Sequence, residues 1–114
     1  MPQKSNAANA LTTTARDRLA EMGGNIRKAR TRRGITQKDL ALRTSVSPVT
    51  IGKLEKGDPT VGLSVLAMAL DVLGLVDDIT LLANPNTDST GKALEEARPV
   101  KRVQKRSRSK NLDF

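Results

Sequence analysis

"TQKDLALRTSVSPVTIGKLEKG", residues 36–57, places two helix starts and a helix stop close together. Thr36 is an N-cap residue type, and Asp39 follows three positions later as a short-armed capping box. Leu40 and Ala41 form the inward face of this first helix. After "TSV", Ser47 supplies a second N-cap, and Pro48 takes the first helical position, where its missing N–H costs nothing. Ile51 and Leu54 lie one turn apart and face inward, and Lys56-Gly57 closes the helix. The outward side then holds Pro48, Val49, Thr50 and Lys53, which is not the usual solvated mixture.

Upstream, Ala15, Leu19, Met22, Ile26 and Ala29 are spaced 4, 3, 4 and 3, one face of a helix. Gly23-Gly24 interrupts it. Each glycine costs about 1 kcal/mol against alanine, so the spacing predicts a kink or break there and a firm helix over 24–33. Arg27, Lys28, Arg30, Arg32 and Arg33 fall off the apolar stripe, and Gly34 stops the helix. Downstream, Leu63, Leu66, Ala67, Leu70 and Leu73 line one face of a helix over 63–73, while Val65, Met68 and Val72 widen it. Gly74 ends that helix. Asp77 reads as a cap and 78–83 as a short helix, although "ITLL" also suits an edge strand. The expected organisation is a flexible segment 1–12, a folded domain 13–83 and a flexible basic tail 84–114. Within the tail, "TGKALEEAR" has the length for two helical turns.

The chain has 114 residues and neither cysteine nor histidine. That excludes disulfides, thiolate chemistry, the usual general base and most zinc sites. Asp77–Asp78 and Glu95–Glu96 are sequence neighbours that diverge on a helix, so no catalytic carboxylate pair is legible and no enzyme is expected. "STGKAL", residues 89–94, lacks a phosphate loop's first glycine, with Asn86 in that place, and has Ala93 where Ser or Thr follows the lysine. No cofactor, metal or ligand pocket is expected. The most apolar run, 65–76, is too short for a bilayer span and contains Asp71, so a cytoplasmic, nucleoid-associated protein without membrane contact is the expectation. Net charge is +8, distributed as +6 over 1–33, +1 over 34–59, −3 over 60–83 and +4 over 84–114. Positive ends around an acidic middle suggest a polyanion partner, most commonly nucleic acid.

Two short helices joined by a tight turn, the second capped by Ser-Pro, between two core-forming helices, make a helix-turn-helix layout. Residues 26–75 resemble the Xre-type helix-turn-helix family. The likeness rests on Gln37, Leu40, Ala41, Val46, Ile51, Leu54, Glu55 and Gly57 at their fixed spacing. It implies an all-α fold, a five-helix bundle of the lambda-repressor-like kind with the motif at 36–56 and a disordered basic C-terminal tail. Ser45 departs from the family's usual turn glycine, which implies a small strain if that residue has positive φ.

The resemblance implies double-stranded DNA as the partner, read at a palindromic operator by a homodimer. Pro48, Val49, Thr50 and Lys53 are then base-facing, and Gln37, Arg43, Ser47 and Lys56 contact phosphate. Lys53 suits guanine O6/N7, Thr50 either donor or acceptor, and Val49 and Pro48 a thymine methyl. Without a bidentate Arg, Asn or Gln, shape readout and phosphate contacts are expected to supply much of the affinity. Val72, Leu75, Val76, Ile79, Leu81 and Leu82 form the candidate dimer surface, with intramolecular packing as the alternative use of the same side chains. The C-terminal half is similar to HipB-type antitoxins, which pair with HipA-like kinase toxins and repress their own operon. On that likeness Phe114, the sole aromatic, is a candidate anchor for a toxin. A stand-alone repressor and a protein–protein adaptor are the alternatives.

Overall fold

A computed structural model describes residues 6–98. The basic segment beyond residue 98, with Phe114, lies outside the described residues. The chain divides into two units, residues 1–79 and 80–114.

In the first unit, α1 (Asn6–Asn9) is a single turn within the segment expected to lack structure. Next come α2 (Thr13–Arg32), α3 (Gln37–Thr44), α4 (Pro48–Glu55) and α5 (Leu63–Leu73). A 3-10 helix, Val76–Leu81, then runs across the unit boundary. Of the 78–83 expected as helix or strand, 78–81 are 3-10 helix, and Asp77 lies inside that helix rather than capping it. The fold is all-α, as expected.

The side chains that stop water from entering are few. Ile26, Ala29, Leu40, Ala41, Ile51, Leu54, Ala69 and Leu73 form the buried core, and Met22, Val46, Val65, Leu66, Leu70, Val72 and Leu75 pack around it. α4 packs on α2 and α3, and α5 packs on the same two helices. The aliphatic composition allows this close packing in a small domain. Of the face expected of α5, Leu73 is buried and Leu66 and Leu70 pack against the core; Ala69, outside that set, is fully buried, and Leu63 is 82% exposed. Leu63 sits in the first turn and lines an open cleft beside Leu19 of α2, so its place in the apolar spacing does not bury it.

α2 is a continuous helix through Gly23-Gly24, contrary to the expected break. Thr12 caps it through its side chain, which accepts from the Ala15 N–H at 3.0 Å. Packing explains the continuity. A Cβ at Gly23 would come within 2.6 Å of the Glu55 carbonyl and the Gly57 nitrogen, so the glycine lets α4's end lie against α2. Tertiary contact outweighs the local propensity loss.

The ends of α2, α3, α4 and α5 share one closure. A residue of positive φ stands just past each helix: Gly34, Ser45, Gly57 and Gly74. The next residue's N–H reaches back to the last turn, as in Ile35 to Arg30 O, Val46 to Ala41 O, Asp58 to Lys53 O and Leu75 to Leu70 O.

In the second unit, α6 (Ser89–Ala97) is capped by Asp88, whose carboxylate accepts from the Gly91 N–H at 2.9 Å. The "STGKAL" stretch is therefore the start of a capped helix, and α6 falls inside the segment 84–114 expected to be a flexible tail. Leu81, Leu82 and Leu94 are exposed.

Candidate nucleic-acid interface

The turn between α3 and α4 is built from capping chemistry. Thr36 Oγ1 accepts from the Asp39 N–H at 3.0 Å and starts α3. The Asp39 carboxylate turns outward to Arg43 at 3.1 Å rather than completing the reciprocal cap. The buried Thr44 donates its hydroxyl to the Leu40 carbonyl at 2.8 Å, so it enters the core without an unpaired polar atom. Ser45 then takes φ 59° and ψ 38°. Its side chain accepts the left-handed strain that a glycine would avoid.

Ser47 caps α4, accepting from the Thr50 N–H at 3.2 Å. Its hydroxyl also lies 3.0 Å from that of Thr50. Whichever donates, one hydroxyl hydrogen of the pair remains for an outside acceptor. Ile51 and Leu54 are buried and anchor the helix. Pro48, Val49 and Lys53 are exposed and Thr50 is half-exposed, so the four expected base-facing residues share the outer side. Val49 is 68% exposed, so its methyl groups stand at the surface.

The residues expected at phosphates divide. Lys56 and Ser47 are exposed, and Arg43 is exposed but paired with Asp39. Gln37 is half-buried, and its amide donates to Glu55 Oε1 at 3.0 Å. That bond ties the start of α3 to the end of α4.

Glu55 itself is held from α2. Arg30 Nε donates to Glu55 Oε2 at 2.6 Å and Arg30 Nη2 to Oε1 at 3.0 Å, a bidentate pair with both side chains buried. Arg30 Nη1 donates to the Ile35 carbonyl at 2.8 Å. Burial opposes the Glu55 charge, but the hydrogen bonds from Arg30 and Gln37, with the nearby charges of Arg30 and Arg27, hold its carboxyl below the usual range. The hydrogen bond to Glu55 raises the Arg30 guanidinium, against the cost of burial. Arg30 was expected off the apolar stripe and is instead 7% exposed. Its Cα lies one position after Ala29, at the edge of the stripe, and only the carboxylate of Glu55 makes that edge a place for a cation.

Of the candidate dimer side chains, Val72 and Leu75 pack partly against the core, and Val76 and Ile79 are half-buried. Leu81 and Leu82 belong to the second unit.

A family model described as helix-turn-helix matches residues 26–78, covering α3, the turn, α4 and α5. Residues 26–78 are a helix-turn-helix domain. Domains of this kind are a DNA-binding element of transcription regulators. No curated protein and no solved structure matches the chain. Among the described residues, no group of His, Cys, Asp or Glu side chains is arranged to hold a metal ion, and no helix is long and apolar enough to cross a membrane.

Proposed function

We propose that this helix-turn-helix domain is a sequence-specific repressor that lays α4 in the DNA major groove as a homodimer on a palindromic operator. The observation that carries this is the two-sided build of α4. Ile51 and Leu54 are buried while Pro48, Val49 and Lys53 stand exposed on the opposite side, beside the Ser47–Thr50 hydroxyl pair. Val49 and Pro48 offer apolar contact to thymine methyls, and Lys53 and Thr50 offer donors to base edges. Gln37, Arg43, Ser47 and Lys56 meet phosphates around them, with Gln37 set in place by Glu55. Val72, Leu75, Val76, Ile79, Leu81 and Leu82 supply the apolar surface for the second copy. Within this class, the chain acts as the antitoxin of a HipA-like kinase toxin and autorepresses its operon; its similarity to HipB-type sequences and the aromatic Phe114 at the end of a basic segment support this reading.

Two experiments test it. Selection from a random duplex library with the full-length chain should enrich a palindrome whose half-sites lie about one helical turn apart. Enrichment of nothing sinks the repressor reading and leaves a protein–protein adaptor. Co-purification from the native host, wild type against Phe114→Ala, should bring down a kinase-like protein with wild type only. Recovery of DNA alone with both chains makes this a repressor without a toxin.

A further inference from the structure

We infer that Gly23 is a positioning residue for the DNA-reading helix: by having no side chain, it lets α2 set where the last turn of α4 lies. This rests on the DNA-binding reading above and extends it to a residue outside the matched domain, which begins at residue 26.

The contact is between backbones. A Cβ at Gly23 would lie 2.6 Å from the Glu55 carbonyl oxygen, 2.6 Å from the Gly57 nitrogen and 2.7 Å from the Glu55 carbonyl carbon. A Cβ at Gly57 would run into the Leu19 carbonyl and come within 2.6 Å of the Ala20 nitrogen. α2 and the end of α4 therefore meet glycine to backbone from both sides. The nearest atoms are all backbone, so a methyl at 23 must move one helix relative to the other, from 2.6 Å toward the ordinary 3.4 Å.

The last turn of α4 carries that displacement to a base-facing residue. The Lys56 and Asp58 N–H groups both donate to the Lys53 carbonyl, at 3.1 and 3.0 Å. The contact is also local. Beside it, a cleft of about 790 Å³ opens between the α1–α2 side (Ala7, Leu11, Leu19) and the segment beyond α4 (Val61, Leu63, Leu66), and Lys53 and Gly57 line it too. Packing around Gly57 is therefore open on this side. Gly24 is a built-in control: it is exposed on the same helix, and a Cβ there would meet nothing.

The test uses full-length chains and two duplexes, one selected by wild type from a random library and a scrambled one of equal length. Gly23→Ala should lower the selected-to-scrambled affinity ratio by about ten-fold, the size of one mismatched base pair. Affinity for the scrambled duplex, which depends on phosphates, should stay within about two-fold. Gly24→Ala should raise the melting temperature and leave the ratio unchanged. The pair Gly23→Ala/Gly24→Ala should melt higher than Gly23→Ala alone yet keep the lowered ratio. Should Gly23→Ala alone lack helical circular dichroism, the same comparison is made with Ser45→Gly and Gly24→Ala as the stabilised background. An unchanged ratio in Gly23→Ala, or a ratio restored by Gly24→Ala, overturns the inference, because the glycine then matters only for stability. If wild type selects no sequence, the DNA-binding reading fails, and the inference falls with it.

Discussion

Replacing Glu55 by alanine should be the most damaging single change in the domain. Arg30 stays behind, 7% exposed, having lost hydrogen bonds of 2.6 and 3.0 Å and keeping only its 2.8 Å bond to the Ile35 carbonyl. Gln37 loses its partner as well. Removing one member of a buried ion pair costs about 3–5 kcal/mol, because the other charge is left unpaired in a low-dielectric site. A domain of this size holds on the order of 5 kcal/mol in total, so Glu55→Ala should be largely unfolded or close to its midpoint at 25 °C. Replacing both members with apolar residues, Arg30→Met with Glu55→Leu, should cost within about 2 kcal/mol of wild type, since the desolvation penalty vanishes with the attraction. The assay is urea denaturation followed by far-UV circular dichroism; with Phe114 as the only aromatic, intrinsic fluorescence offers no usable signal. A loss below about 1 kcal/mol for Glu55→Ala would refute the reasoning, since surface pairs fall in that range. So would a double variant as unstable as the single one.

The same pair sets a pH dependence. The folded Glu55 carboxyl titrates below its ordinary value of 4.5, so its stabilisation is fully present above that pH and is lost as pH falls through the lower folded value. Denaturation midpoints should drop there in wild type, and Glu55→Gln should flatten that part of the profile. Ser45→Gly should stabilise the domain by about 1 kcal/mol, because φ 59° is left-handed backbone and glycine adopts it freely; a melting temperature about 4–8 °C higher is expected. Gly57→Ala should destabilise by more than the about 1–2 kcal/mol of left-handed strain, since its methyl would also strike the Leu19 backbone; a melting temperature equal to wild type contradicts that packing. Lys53→Ala should relax discrimination at one base pair by about 1–3 kcal/mol and leave the salt slope of binding unchanged. Uniform weakening with a slope lower by about 0.9 would move Lys53 from a base to a phosphate.

Local chemistry alone determined α3 and α4 and the ends of α2, α4 and α5. Thr36, Ser47 and Pro48 announce starts, Gly34, Gly57 and Gly74 announce stops, and Leu40, Ala41, Ile51 and Leu54 announce an inward face, because capping and amphipathic spacing act within a few residues. The outward set on α4 follows from the same spacing, so the candidate reading face was legible before any packing was known. The tertiary structure decided what depends on residues distant in sequence. Arg30 and Glu55 are twenty-five positions apart, and neither reveals its partner until α2 and α4 pack. Gly23 looks like a helix breaker by propensity and is a point of close approach, because its cost is outweighed only when the Glu55 and Gly57 backbone is laid against it. Leu63 fits the apolar spacing of α5 but lies in its first turn at the mouth of an open cleft, since periodicity defines a face and not how closely neighbours pack along it.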